Sequence, residues 1–211
     1  MANCAFGAEN PIVTGHWPKF RDAQILKEAI KTSISTSPEA FLATIEDVDG
    51  RASEYWEKEI HCSTWAVIQR GDVIVGIAVA RWSNLEIDKN IDRTRGCFIE
   101  SVWVAPVLRG NHLGERLVRF LFEMECGKNP GVSRFLLWVL DRNSRAIRLY
   151  ERMGFRYVER QYLPDWSRTE LRYEYRLEPD AAEMKSAAAV RQDDLREYGV
   201  IYRVLGEGET T

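Results

Sequence analysis

Several features are scarce in this chain of 211 residues, and each scarcity narrows the classes of protein to which it can belong. The four cysteines are far apart with no C-x-x-C pair, and with only three histidines no zinc-ligand spacing can be assembled. No apolar run reaches the roughly 18 residues of a membrane span, and the first residues lack the basic start and apolar run of a secretory signal. A formal charge of −3 argues against nucleic acid as the main partner. We therefore expect a cytoplasmic protein with reduced thiols and no metal, attached to no membrane.

The apolar content is sufficient for one domain, because 45% of the residues are hydrophobic. A break at Glu178-Pro179-Asp180 separates an expected domain over residues 1–178 from a tail over residues 179–211. The tail pattern predicts an Ala-rich helix, from Ala181 to about Tyr198, and a short apolar strand, Val200–Leu205. This strand is expected to pair with a sheet edge, preferably in its own subunit and otherwise in the second subunit of a homodimer.

Apolar spacing in the first half of the chain predicts helices followed by a β-hairpin. Helical spacing runs from Trp17 to about Ile34 and from Ala52 to about Ile60, and a turn or cap is expected at Asp47–Gly50. Strand patterns cover Pro11–Gly15, Thr64–Gln69 and Val73–Ala80, the last two joined by a tight turn at Gly71-Asp72. A long polar connection then follows, from Trp82 to Arg95.

Two strand–turn–helix units lie between Phe98 and Phe155. Their strands are Phe98–Val104 and Arg134–Leu140, and their helices are Gly110 to about Cys126 and Ser144–Met153, the second ended by Gly154. The N–H groups of a first helical turn have no partner inside the helix, and the helix dipole is positive there. The first unit therefore predicts a site for a phosphate or pyrophosphate, to which Arg109 adds a positive charge.

Two segments of these units resemble the GNAT superfamily of N-acetyltransferases. Arg109-Gly110-Asn111-His112-Leu113-Gly114 is similar to the acetyl-CoA signature R/Q-x-x-G-x-G/A, and Asn143–Phe155 is similar to N-x-x-A-x-x-x-Y-x-x-x-G-F. The resemblance covers about residues 11–177 and not the tail. It implies an α/β (α+β) fold whose central sheet is mixed and mostly antiparallel, with about 6–7 strands, helices on both faces and a splay in the middle at the CoA site.

The resemblance also implies which residues contact acetyl-CoA, the acyl donor. Strand backbone near Val102 and Val104 would pair with the pantetheine arm, and the turn before the first helix would hold the pyrophosphate. The full implied set is Val102, Trp103, Val104, Arg109, Gly110, Asn111, His112, Leu113, Gly114, Glu115, Asn143, Ala146 and Tyr150. His112 stands where the signature has its first glycine, so its side chain must point away from the phosphates or donate to one.

Two catalytic residues are implied by the same comparison. Tyr150 matches the tyrosine that protonates the CoA sulfur, with an ordinary buried aromatic as the alternative. Glu100 is the candidate general base, acting through water: alternation places it on one strand face with Val102 and Val104, in an apolar run where desolvation would make it a stronger base. An exposed or salt-bridged Glu100 is the alternative. Asn143 is expected to cap its helix and touch the pantetheine arm.

The acceptor is less closely defined by the sequence. The acidic residues of the 82–95 connection, together with Asp165 beside Trp166 and Tyr162, suit the primary amine of a small molecule. This amine would attack the acetyl thioester directly in a ternary complex. Alternatives that remain open are a protein or peptide N-terminus, an acyltransferase with another acyl donor, and a non-catalytic acyl-CoA-binding domain.

Overall fold

The computed structural model describes residues 19–71, 73–82, 96–177 and 201–205, with side chains left undescribed at 19–22 and 201–205. The strand expected at Pro11–Gly15, most of the polar connection after Trp82, and the helix expected from Ala181 to Tyr198 lie outside the described residues. Within the described part of the chain, no helix is both long enough and apolar enough to cross a membrane.

Helices and strands follow the predicted order. The helices are α1 (Lys19–Thr36), α2 (Ile45–Asp49), α3 (Ser53–Cys62), α4 (Leu113–Lys128) and α5 (Ser144–Met153). The strands are β1 (Thr64–Arg70), β2 (Val73–Arg81), β3 (Gly96–Val104), β4 (Arg134–Leu140), β5 (Arg156–Leu163), β6 (Arg168–Arg176) and β7 (Ile201–Leu205). Three short 3₁₀ turns also occur among the described residues, at Pro38–Ala40, Pro106–Leu108 and Pro164–Trp166.

The region around Asp47 is helical, where the sequence indicated only a turn or cap. Thr44 and Asp47 form a capping box: the Thr44 side chain accepts from the Asp47 N–H at 3.2 Å, and the Thr44 N–H donates to Asp47 Oδ2 at 2.8 Å. The reciprocal pair satisfies two helix N–H groups at the start of α2. This short helix therefore begins at a polar signal rather than at an apolar stripe.

The seven strands form one sheet in the order β5-β6-β4-β3-β2-β1-β7. All neighbouring pairs are antiparallel except β3 and β4. The parallel pairing of β3 with β4 covers only Gly96–Phe98 against Arg134–Leu136, after which the two strands separate. The mixed, mostly antiparallel sheet and the splay in its middle are thus confirmed.

Apolar side chains form a core on each face of the sheet. One core is built from α4, α5 and the facing residues of the sheet, and includes Leu117, Phe135 and Tyr150. The other is built from α1 and α3 against β1, β2 and β3, and includes Leu26 and Trp103. Helices therefore cover both faces, which we call the α4 face and the α3 face.

The tail strand pairs within its own chain. Strand β7 runs antiparallel to β1, with Trp65 opposite Leu205 and Gln69 opposite Ile201. This confirms the preferred alternative for the apolar segment at residues 200–205. Pairing with β7 covers an edge of β1 that would otherwise present a row of N–H and C=O groups.

Candidate active site

The turn between β3 and α4 is shaped by two residues with positive φ. Gly110 has φ 92° and His112 has φ 57°, ψ 9°, and α4 begins at the next residue, Leu113. The first hydrogen bond of α4 is donated by the Arg116 N–H to the backbone carbonyl of His112, at 3.0 Å. Because His112 provides no side-chain cap, the N–H groups of residues 113–115 at the start of α4 have no partner from the helix or its cap. The start of α4 therefore has the free N–H groups on which the prediction of an anion site depends.

His112 takes the backbone conformation that the signature's glycine would take. Its side chain is 71% exposed, and its Nδ1 lies 3.5 Å from Oε2 of Glu115. The imidazole thus lies along the outside of α4, beside Glu115. A left-handed conformation is uncommon for a residue with a Cβ, so the turn holds His112 in the shape a glycine adopts freely.

Arg109 is bonded to the protein on two sides. Its Nε donates to the carbonyl of Val104 at 2.9 Å, and its Nη2 donates to Oγ of Ser37 at 2.5 Å. Burial lowers the pKa of the guanidinium, the charge of Arg145 lowers it further, and Glu39 opposes both. The sequence predicted that Arg109 directs its charge at phosphate, whereas these two contacts show a structural role for it at the end of β3.

Gly114 allows α4 to approach α5 and β3 closely. A Cβ at this position would lie 3.3 Å from Cδ2 of Leu149 and 3.9 Å from Cγ2 of Val104. Leu149 belongs to the second strand–turn–helix unit, and Val104 to the first. The missing side chain therefore brings the two units together around the splay.

The start of α5 is capped as predicted. Asn143 Oδ1 accepts from the Ala146 N–H at 3.2 Å, and α5 ends at Gly154, which has φ 97°. Tyr150 lies on α5 in the α4-face core, with its ring 5.6 Å from that of Phe155 in an edge-on arrangement. Burial raises the pKa of the Tyr150 phenol, so it is protonated at neutral pH and can donate a proton.

The free part of β3 lies beyond its pairing with β4. Val102 packs against the α4-face core, whereas the Trp103 side chain is buried in the α3-face core. The Val104 carbonyl already accepts from Arg109. The Ala105 N–H donates to the Val75 carbonyl of β2 at 2.8 Å, and Trp103, two residues earlier, is opposite Ile77, so the backbone groups of Trp103 also face β2. Of the three residues expected to contact the pantetheine arm, Val102 therefore has the backbone groups best placed to pair with it.

A bulge in β3 corrects the expected position of Glu100. Ser101 has φ 53°, and the register with β2 shifts so that Val79 is opposite Glu100 while Ile77 is opposite Trp103. One extra residue in β3 interrupts the alternation of side chains. The prediction that Glu100 shares a face with Val102 and Val104 is therefore wrong.

Glu100 lies on the α3 face and forms a salt bridge, which is one of the alternatives stated for this residue. Its Oε2 is 3.1 Å from Nε of Arg81, and Arg81 in turn pairs with Glu59 of α3. Sequence reasoning missed Arg81 and Glu59 because neither belongs to a motif. It missed the bulge because serine, unlike glycine or asparagine, gives no signal for positive φ.

The aromatic loop expected near the acceptor is the hairpin turn between β5 and β6. Tyr162 and Trp166 are both exposed there, and Asp165 lies in the 3₁₀ turn between them. Arg168, at the start of β6, donates from Nη1 to the carbonyl of Phe41 at 3.0 Å. The acidic residues of the 83–95 segment lie outside the described residues. In the parts of the chain that are described, no group of three or more His, Cys, Asp or Glu residues is placed to hold a metal ion.

Comparison with known proteins agrees with this arrangement. A profile of the acetyltransferase (GNAT) family matches residues 28–155. Thialysine N-epsilon-acetyltransferase of Sus scrofa is 36% identical over 62 residues, which is 29% of this chain and 35% of that protein. The matched stretch thus spans about a third of the length of this enzyme and of its Mus musculus counterpart.

Two solved structures with bound ligands share the fold. The yncA structure, a putative acetyltransferase of Salmonella typhimurium with its cofactor acetyl-CoA, is 18% identical with a TM-score of 0.56, covering 77% of this chain and 92% of that chain. The aminoglycoside acetyltransferase AAC(6')-Ib, in complex with coenzyme A and kanamycin, is 21% identical with a TM-score of 0.58, covering 79% and 95%.

Proposed function

Since this chain belongs to the acetyltransferase (GNAT) family, we propose that it transfers an acetyl group from acetyl-CoA to the primary amine of a small molecule by direct attack in a ternary complex. The observation that carries this proposal is the arrangement of groups around the splay of β3 from β4. The uncapped start of α4 opens on one face of the sheet, and the Glu100 carboxylate lies on the other. Donor and acceptor can then meet from opposite faces.

The α4 face fits the donor. The N–H groups at residues 113–115 and the positive end of the helix dipole suit the pyrophosphate of acetyl-CoA, and Gly110 leaves room for its approach because nothing lies within 4 Å of a Cβ placed there. Bound acetyl-CoA would supply the reactive thioester. The backbone of β3 at Val102 would pair with its amide-bearing arm as with an added strand, and Asn143 is engaged in capping α5.

The chemical step follows from the same placement. Glu100, through a water, takes a proton from the attacking amine, whose nitrogen forms the new C–N bond as the C–S bond breaks. Backbone N–H groups of β3 near Val102 stabilise the oxyanion. Tyr150, neutral because burial raises its pKa, donates a proton to the departing sulfur.

The α3 face fits a cationic acceptor. Two carboxylates, those of Glu59 and Glu100, lie beside Arg81 on this face. An ammonium group is attracted to such a region before it loses its proton. The names of the relatives, with thialysine and kanamycin as amines, agree with this class of acceptor.

Calorimetric titration with acetyl-CoA, followed by a thiol-release assay, tests the proposal. The acceptor panel should hold thialysine, spermidine, kanamycin and a short peptide with a free N-terminus. We expect saturable binding and thiol release with at least one small amine. No binding of acetyl-CoA would refute the donor assignment. Turnover with the peptide alone would move the acceptor to protein N-termini, and binding without turnover would indicate a non-catalytic acyl-CoA-binding domain.

A further inference from the structure

Arg81, the last residue of β2, lies between carboxylates from two other elements. Its Nη1 donates to Oε1 of Glu59 at 3.1 Å and its Nη2 contacts Oε2 of the same carboxylate more closely still. Its Nε lies 3.1 Å from Oε2 of Glu100 on β3. One guanidinium thus connects α3, β2 and the strand that borders the splay.

The contact with Glu59 locks the guanidinium. Two parallel N–H···O contacts between a planar fork and a carboxylate fix orientation as well as distance. The Glu59 side chain is 13% exposed, and the ring of Trp65 lies 5.7 Å from Cζ of Arg81. Burial opposes the charge of Arg81, but Glu59 and then Glu100 outweigh it, so the pKa of the guanidinium is raised.

The contact with Glu100 is of a different kind. The Nε–H of Arg81 is not directed at a hydrogen-bond acceptor, although the Glu100 oxygen is within ion-pair distance. The attraction is therefore one of charge rather than of an aligned hydrogen bond. Since the Glu100 side chain is 36% exposed, its carboxylate is held by Arg81 and still reached by water.

The bulge at Ser101 makes this contact possible. Arg81 is opposite Phe98 and Val79 is opposite Glu100, so Arg81 and Glu100 are diagonal neighbours on one face of two adjacent strands. After the bulge, Val102 and Val104 turn to the α4 face. The same irregularity thus separates Glu100 from the donor face and places it beside Arg81.

We propose that Arg81, locked by Glu59, is the positioning residue that holds the Glu100 carboxylate in place, in its ionised form, on the acceptor side of the splay. This rests on the proposed function, in which Glu100 takes the proton of the amine. It adds α3 to the parts of the fold that set the geometry of acetyl transfer. Arg81 does not itself touch the reacting atoms.

Among the residues that the structure describes, two other titratable groups near this pair stay neutral. The pKa of the Tyr55 phenol on α3 is raised by burial and then by Glu59, and burial raises the pKa of the Cys97 thiol on β3. Neither group therefore adds a charge to the contact between Arg81 and Glu100 near neutral pH. The charge on Arg81 should accordingly determine where the acidic limb of the rate profile lies.

The test compares Arg81→Gln, Arg81→Lys and Glu59→Gln with Glu159→Gln as the matched control. Glu159→Gln removes one carboxylate charge, as Glu59→Gln does. Glu159 lies on β5, at the other end of the strand order, and its Oε1 is 2.8 Å from Nε of Arg172 on β6. For each variant, the acetyl-CoA Kd is measured by calorimetry. Both kcat and KM are measured across pH with thialysine, or with whichever amine of the panel the wild type acetylates.

For Arg81→Gln we expect kcat to fall about 10- to 100-fold, because a misplaced base loses much of its contribution. The acetyl-CoA Kd should stay within about twofold, and the acidic limb of kcat/KM should move up by about one pH unit. Arg81→Lys should keep the acidic limb of kcat/KM at its wild-type pH, because the positive charge remains. It should keep only part of the wild-type kcat, because an ammonium group cannot make the two-point contact with Glu59. Glu159→Gln should change neither the rate nor the profile.

A double variant separates positioning from general stability. If Arg81 acts through Glu100, then Arg81→Gln combined with Glu100→Gln should be no slower than Glu100→Gln alone. The proposal would be overturned if the double variant lost kcat by the product of the two single losses and the acidic limb of kcat/KM in Arg81→Gln stayed at its wild-type pH. Arg81→Gln leaves the Glu59 charge buried and unpaired, so the fold itself could be destabilised. The double variant Arg81→Gln/Glu59→Gln removes both charges and is the control for misfolding. It should have the Tm of the wild type and the lowered kcat of Arg81→Gln.

Failure of this proposal can be told from failure of the proposed function. Wild-type protein that neither binds acetyl-CoA nor acetylates any amine overturns both. If the wild type turns over an amine and the pH–rate profile of Arg81→Gln matches that of Glu159→Gln, only the positioning role of Arg81 is overturned.

Discussion

Arg109 and Ser37 are joined by a hydrogen bond of 2.5 Å between Nη2 and Oγ, which ties the turn before α4 to the segment after α1. A few residues later, the Phe41 carbonyl accepts from Arg168 at the start of β6. Strand β4 lies between β3 and β6 in the sheet, so residues 37–41 are fastened on both sides of the splay. This segment therefore crosses the end of the sheet where acetyl transfer is proposed.

Ser37→Ala tests the link between this segment and Arg109. Ser37 is buried, and its loss leaves part of a half-buried guanidinium without an acceptor, so we expect the free energy of unfolding to fall by about 1–3 kcal/mol. Denaturant unfolding measures this. Ser35→Ala is the control, because Ser35 is exposed and its hydroxyl donates to the Thr32 carbonyl within the same helix. Equal stability of the two variants would show that the link contributes nothing.

His112→Gly tests whether the α4 site works through its backbone. Glycine removes the cost of a left-handed residue, about 1 kcal/mol, and keeps the N–H groups of the turn. We expect acetyl-CoA to bind as tightly as to the wild type, or more tightly, in calorimetric titration. His112→Ala removes the imidazole without relieving the backbone and serves as the comparison. A tenfold weaker Kd in both variants would instead assign the imidazole a direct contact with phosphate.

Tyr150→Phe tests the proton donor. The ring stays in its place beside Phe155, so the fold and the acetyl-CoA Kd should be kept. Without the hydroxyl, kcat should fall by roughly 10²–10⁴-fold. Because burial raises the pKa of this phenol, the group stays protonated in the wild type, so its own ionisation should not limit the rate at mildly alkaline pH. An unchanged kcat would leave Tyr150 as a buried aromatic only.

Truncation after residue 200 tests the tail strand. Loss of β7 exposes the edge of β1 from Trp65 to Gln69, so we expect lower stability and a tendency to aggregate. A loss of about 1 kcal/mol lowers Tm by roughly 2–4 °C in a domain of this size. Truncation after residue 205 keeps β7 and is the control. The same Tm for both truncations would mean that β7 adds no stability.

Elements with strong local signals could be predicted from the sequence. Strand β4 and helix α5 begin and end at the predicted residues, because apolar alternation, the Asn143 cap and the Gly154 stop all act within a few residues. The turn before α4 was predictable for the same reason, whereas anion binding there stays a prediction. The domain boundary near residue 178, the acceptor and the cytoplasmic location stay predictions.

Contacts between distant segments were not predictable in this way. The Ser101 bulge depends on how β3 fits against β2, and it moved Glu100 to the face opposite the one that simple alternation predicts. Glu59 and Arg81 are 22 residues apart and meet only because α3 packs beside the end of β2. Local patterns in a chain specify where helices and strands begin and end. The face on which a charge lies, and the partner it meets, follow from strand register and packing between residues far apart in the chain.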